Sequence, residues 1–241
     1  MSATIIGTVK TLTLYPVKSM QGVNVNEAQL YWYGFNGDRK YAFVADDPRS
    51  GFPWVTGREV PDLLRYRPYF ATPSDPIRSK VRIETPSGQD LALESPDLPK
   101  DLGLPEEASL LKLKRGTYDC MPVSLLTTST LEAIEEQLDA PLDSRRFRAN
   151  VVIEPTNTGV TEEAWQGATL RFGDAADGAR VQVNYPTQRC VMVNLEPETG
   201  DSNPAVLKTV AQSFDACVGV YAAVQALGAV RVGDKVYKEA A

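Results

Sequence analysis

The chain has 241 residues, 43% of them apolar, with 25 Lys and Arg against 31 Asp and Glu for a net charge of −6, three cysteines and no histidine. Without imidazole, His-ligated zinc and haem, Ser-His-Asp and Cys-His nucleophile pairs and the His-based facial triad of non-haem iron are all excluded. The acidic balance argues against general nucleic-acid binding, and the length suits one large domain or two small ones in intimate contact.

Residues 4–15 (TIIGTVKTLTLY) are rich in β-branched side chains and predict a strand. Further short strands are expected at 25–33, 40–45, 65–71, 79–84 and 108–114. Turn residues separate them: Gly34, Gly37, the DDPRSG run at 46–51 with Asp46 and Asp47, and the clusters at 73–76 and 86–88. A capping box, Ser129-x-x-Glu132, with an apolar stripe of Leu131, Ile134 and Leu138, predicts a helix from near Ser129 to just before Pro141. Strands follow at 149–154, 168–172, 180–185 and 190–195, with Glu162 and Glu163 read as a helix start. A shorter helix fits Asn203 to Gln212 after its Asn-Pro start, and 217–237 reads as two strands around Gly228. No repeat or linker divides the chain; the weakest seam is the proline-rich 94–107. The expected fold is β-rich α+β, a barrel or sandwich of two β-rich halves with few short helices.

Cys120, Cys190 and Cys217 form no C-x-x-C pair, so neither a disulfide framework nor a cysteine-based zinc or iron-sulfur site can be built from them. A reducing, cytoplasmic setting is the natural expectation, as the N-terminus carries no signal-peptide pattern and no apolar run approaches a membrane span. Cys190 lies in NYPTQRCVMVNL beside Arg189, a cation that favours thiolate and suits a nucleophile or soft-metal ligand. The competing reading is an inert, buried strand-edge thiol. Cations and hydroxyls recur at turns: Lys18 and Ser19 after Pro16, Asp38 and Arg39 after a Gly turn, Thr56 and Arg58 around Gly57, and Arg145, Arg146 and Arg148 before Asn150. Gathered at strand ends they would form an anion site; left apart, they are ordinary solvated loop residues. No glycine pattern marks a P-loop or a dinucleotide fold.

Eight strings in order run YPVKS (15–19), GDRKYAFV (37–44), VTGREVPDL (55–63), FRANVVI (147–153), EEAW (162–165), QRCVMVNLEPETG (188–200), GVY (219–221) and VRVGDKVY (230–237). Together they resemble the MOSC family, the molybdenum cofactor sulfurase C-terminal domain proteins. The likeness is to the branch with an N-terminal β-barrel module that includes the mitochondrial amidoxime reducing component and its bacterial relatives. The resemblance implies a MOSC β-barrel at 108–241 packed with an N-terminal β-barrel-like module at 1–107.

It also implies a molybdenum-molybdopterin cofactor, with Cys190 as metal ligand and catalytic centre. Motif by motif it carries over Lys18, Ser19, Arg39, Thr56, Arg58, Arg148, Asn150, Arg189 and Tyr221 as cofactor-binding residues. Pyridoxal phosphate binding, another association of the family, has no motif here. In the segment 118–122, Cys120 and Met121 stand where relatives can place hydroxyls, leaving that contact to backbone or to Ser124, and Ala149 replaces a proline. The implied activity is reduction of N-hydroxylated or N-oxygenated small molecules such as amidoximes, hydroxylamines or base analogues. The alternative is a non-catalytic cofactor-binding or sulfur-carrier protein. With no ferredoxin-like extension or membrane anchor expected, electrons would come from a separate flavin, cytochrome b5-type or ferredoxin-type protein.

Overall fold

The computed structural model describes residues 3–45, 53–105 and 107–239; the turn expected at 46–51, with Asp46 and Asp47, lies outside them. The long first strand, Ala3–Leu14, pairs antiparallel with Val151–Pro155 on one side and Lys235–Glu239 on the other. From there the order continues through Thr169–Phe172, Arg180–Gln188, Cys217–Ala226 and Val123–Thr127 back to Val151–Pro155, so the sheet closes on itself as a barrel. Closure removes the exposed edges that an open sheet must protect. Val23–Asn24 adds to the far end of the first strand.

One pairing in this ring is parallel, Val123–Thr127 with Val151–Pro155. A parallel pair needs a crossover, which the helix Thr128–Leu138 supplies. Its cap corrects the sequence reading: Thr127, not Ser129, is the N-cap, its hydroxyl accepting from Thr130 N at 3.1 Å. The Ser129 hydroxyl instead accepts from Gly159 N. The strand Val123–Thr127 is buried at every position and so has no alternation in the sequence to reveal it.

Three smaller sheets flank the barrel: Gly228–Arg231 with Glu27–Tyr31 and Gly34–Phe35; Tyr41–Val44 with Ser109–Lys112; and Arg67–Phe70, Val81–Glu84 and Asp90–Ala92. The expected strands of the N-terminal half are therefore present in trimmed form. The tail forms three strands, not two, because Gly228 and the turn before Lys235 each let the chain change sheet. The strand expected at 190–195 is a 3-10 turn, Val191–Asn194. Sheet pairing ends at Gln188 with Cys217, and the apolar run then buries Val193 against Val206 and Val210 of the helix Pro204–Ser213. That helix forms as expected, with the Asn203 side chain accepting from Ala205 N and proline in the first turn.

Residues of both halves share one apolar core, from Val9, Leu12 and Leu14 through Phe70, Ile83 and Leu98 to Val220 and Val236. A second cluster, including Leu126, Ile134, Phe147 and Val210, lies under the two longer helices. No helix among the described residues is long and apolar enough to cross a membrane.

Candidate functional site

Strand ends and turns from the whole chain converge on a cavity of about 430 Å³. Nine of the ten residues singled out in the sequence line it: Lys18, Ser19, Arg39, Thr56, Arg58, Arg148, Arg189, Cys190 and Tyr221. Asn150 is not in the wall. It sits beneath, with Oδ1 accepting from Arg39 Nη1 and Ser124 N and Nδ2 donating to Thr13 O, so it ties three strand ends together and steadies Arg39.

Ser19, Arg39 and Arg148 all adopt the left-handed backbone region, with φ of 64°, 45° and 52°. Non-glycine residues resist that region, and such strain persists only where surrounding bonds enforce it. Here they do: Arg39 N donates to Tyr15 O, and Arg148 ends a 3-10 turn with its N bonded to Arg145 O. The result turns both guanidinium groups toward Tyr15, at 4.9 and 4.3 Å from its ring. Tyr15 belongs to the YPVKS string, but only its packing between two distant arginines shows its part.

Each cation is fixed by specific acceptors. Arg39 binds Asp38 at 2.6 Å and Arg148 O at 2.8 Å, while Arg148 donates to Met20 O at 2.7 Å. Arg189 donates from Nε to Val218 O and from Nη1 to Phe147 O, both at 2.7 Å. Lys18 Nζ donates to Thr117 O at 2.8 Å and to Asp119 at 2.7 Å. Arg146 is anchored by Asn194 O and Glu196 on the same wall. Of the three neighbouring arginines, Arg145 turns instead to Asp143 and Glu198, outside the lining. Spacing alone did not separate these partners.

Burial works against this much positive charge. It lowers Lys18 to about 8, although Asp119 pulls upward, and lowers Arg148 and Arg189 to about 10. Arg39 differs: burial opposes its charge, but Asp38 and the flanking tyrosines outweigh it and hold the group above its ordinary value. An incoming anion would relieve the penalty on the others. Three buried polar atoms in the lining residues, Ser124 Oγ, Arg146 Nε and Arg189 Nη2, have no hydrogen-bond partner among the described residues. Buried groups left in this state normally serve a ligand or water. An anionic group rich in hydrogen-bond acceptors fits this wall.

Cys190 is exposed to the cavity and unpaired, which removes the reading of it as an inert buried thiol. It caps the 3-10 turn that follows, its carbonyl accepting from Val193 N. Arg189, just before it, fits because residue 219 is glycine: a Cβ there would stand 2.9 Å from Arg189 Nη2 and 2.8 Å from Leu125 O. Gly219, at φ 80°, donates its N–H to Glu162 Oε1 at 2.7 Å. Glu162 does begin a 3-10 turn, as read from the sequence. Its carboxylate, only 1% exposed, also accepts from Thr127 N, Thr127 Oγ1 and Thr130 Oγ1. A lone acidic pair in the sequence carried no sign of that role. Tyr221 stands edge-on to Tyr185 at 5.8 Å, and both border the cavity, as does Cys120. No group of three or more Cys, Asp or Glu residues among those described could hold a metal by itself.

The fold and site thus define a closed β-barrel protein with a cation-lined pocket that presents two free thiols, Cys120 and Cys190, the second beside Arg189. The chain matches the MOSC domain family over residues 112–237 and the MOSC N-terminal beta barrel domain over residues 6–133, and it belongs to the MOSC family. It is 23% identical to mitochondrial amidoxime reducing component 2 of Rattus norvegicus, across 97% of this chain and 83% of that protein. It is 27% identical to molybdenum cofactor sulfurase of Drosophila grimshawi, over 87% of this chain but 31% of the larger protein. Among solved structures, the YuaD protein of Bacillus subtilis shares the fold, with a TM-score of 0.53 and 13% identity over 99% of both chains. The MOSC family and these curated relatives are associated with the molybdenum cofactor.

Proposed function

We propose that this protein is a molybdenum-cofactor enzyme that reduces N-hydroxylated or N-oxygenated small molecules, with Cys190 as the protein ligand to the metal. The observation that carries the reading is the exposed Cys190 thiol at a pocket walled by Lys18, Arg39, Arg58, Arg146, Arg148 and Arg189, in a chain similar along 97% of its length to an amidoxime reducing component. When bound, the cofactor supplies a metal centre that accepts two electrons and passes them to the substrate's N–O bond.

The side chains do the rest. Lys18, Arg148 and the free edge of Arg189 would bind the anionic parts of the cofactor, with Ser124 donating its unpartnered hydroxyl. Arg39, held by Asp38 and Asn150, keeps Arg148 and the Tyr15 ring in place behind them. Cys190 would supply the sulfur that a soft metal prefers, next to the Arg189 guanidinium that Val218 O and Phe147 O hold in place. Tyr185 and Tyr221 form an aromatic wall beside the thiol for the organic part of the substrate.

The test is metal and pterin analysis of protein from a molybdopterin-producing host, followed by benzamidoxime reduction with reduced viologen. The proposal expects about one molybdenum per chain, turnover with viologen, and loss of both in Cys190→Ser. Stoichiometric cofactor without N-reductive turnover would favour the carrier reading, in which Cys190 holds transferable sulfur. Metal content unchanged by Cys190→Ser would remove the thiol from the site altogether.

A further inference from the structure

A surface patch of aromatic and cationic side chains is tied to the cavity wall through Tyr118. Tyr31, Trp32 and Tyr33 form a turn whose side chains are 45%, 54% and 42% exposed. Three consecutive large aromatics held in water are unusual for a surface with no partner. Tyr31 and Tyr33 meet edge-on at 6.2 Å, and the Arg115 guanidinium lies 5.5 Å from the Tyr33 ring. Arg115 ends the run Lys112-Leu113-Lys114-Arg115, whose three cations are all exposed. None of the ion pairs among the described residues uses Lys112, Lys114 or Arg115. In a chain of net charge −6, uncompensated positive charge beside exposed aromatics is a local reversal.

This patch joins the cavity directly. Tyr118 OH donates to Tyr33 O at 2.6 Å, and the next two residues, Asp119 and Cys120, line the cavity wall. A partner seated on the aromatic turn and Arg115 would therefore stand beside the part of the cavity wall formed by Asp119 and Cys120.

We infer that Tyr31, Trp32, Tyr33, Lys112, Lys114 and Arg115 form the docking surface for an acidic electron-transfer protein that reduces the site. The inference rests on the reductase reading above. That reaction needs a donor: the substrate N–O bond breaks, two electrons and two protons enter, and an N–H group and water leave, while the partner protein is oxidised by two electrons in total. Charge complementarity selects an acidic partner, since unpaired cations steer an anionic surface and suppress cationic ones. Exposed Trp, Tyr and Arg supply the anchoring residues typical of a transient interface. A nucleic acid is the poorer fit, because the remaining surface of this acidic chain would repel a long polyanion.

The experiment compares two electron sources in the cofactor-loaded protein: reduced viologen, which needs no docking, and acidic donor proteins, a soluble cytochrome b5-type domain and a plant-type ferredoxin. The variants are the triple reversal Lys112→Glu, Lys114→Glu, Arg115→Glu and, separately, Trp32→Ala. At low salt the expected result is a loss of at least about tenfold in donor-driven kcat/KM for the triple variant, with viologen-driven turnover unchanged. Binding of the oxidised donor, followed by calorimetry, should weaken by a similar factor, and the wild-type donor-driven rate should fall steeply with added salt. Unchanged donor binding and donor KM in both variants would overturn the inference. So would viologen-driven turnover with no acceptance of either acidic donor. Binding of a single-stranded oligonucleotide, or self-association, that the same variants abolish while donor kinetics stay intact would assign the face to another occupant and also overturn it. Absence of turnover even with viologen would instead refute the reductase reading.

Discussion

Lys18 makes anion affinity in this pocket depend on pH in a way that can be calculated. Burial takes its ammonium from an ordinary value of 10.5 to about 8, against the upward pull of Asp119 and with the further downward push of Arg39 and Arg148. Sulfate carries a fixed charge across the neutral range, so as a probe it isolates the protein's own titration. Bound sulfate restores the charged form toward its ordinary range, so sulfate binding is coupled to proton uptake whenever Lys18 is neutral beforehand. At pH 7 about nine-tenths of the chains carry the charge, and at pH 9 about one-tenth do, from the same titration. Affinity for sulfate should therefore fall about tenfold from pH 7 to pH 9, a change of roughly 1.4 kcal/mol. Calorimetry in two buffers of different ionisation enthalpy should show close to one proton taken up per sulfate at pH 9 and close to none at pH 7. Lys18→Arg keeps a cation that does not titrate here and should flatten the dependence. A flat profile in the wild type, or an equal slope in Lys18→Arg, would refute the argument. For stability the sign is opposite to that of a paired lysine: burial lowers the folded value, so the penalty is complete below pH 8 and is relieved as pH rises toward 10.5.

Three more outcomes follow from single contacts. Gly219→Ala places a Cβ within 2.9 Å of Arg189 at a backbone angle that resists side chains, so it should cost about 1–3 kcal/mol in denaturant unfolding and weaken sulfate binding together; a stable variant with normal affinity would contradict this. Glu162→Ala leaves four buried donors without their acceptor, and a loss of about 3–5 kcal/mol in urea unfolding is expected, with Glu162→Gln retaining part of it. Glu198 accepts from Arg67 and Arg145, which hold its carboxyl down to about 2. Its stabilisation is present above about pH 4.5 and lost as pH falls toward 2. Because the group is 39% exposed, the contribution is below about 1 kcal/mol; comparison of Glu198→Gln with the wild type should show the full difference at pH 6, less than about half of it at pH 3 and almost none below about pH 2.

The sequence determined the strands with visible alternation, one longer helix through its apolar stripe and the other through its Asn-Pro start, and the candidate binding residues through ordered short strings. Pro204 after Asn203 and the apolar stripe of Leu131, Ile134 and Leu138 are local signals, so local reading found them. It could not settle matters that depend on distant partners. Val123–Thr127 is buried on every face and carries no period, and the apolar run after Cys190 turns as a 3-10 helix because its sheet partner ends at Cys217. Which of Arg145, Arg146 and Arg148 faces the pocket depends on partners that only folding brings together, Glu198 beside Arg145, Glu196 beside Arg146 and Met20 O beside Arg148. Asn150 supports the wall instead of lining it, and Glu162 holds Gly219 in place for Arg189. Those roles exist only once strands from both ends of the chain close the barrel, because burial and hydrogen-bond satisfaction are properties of the assembled interior.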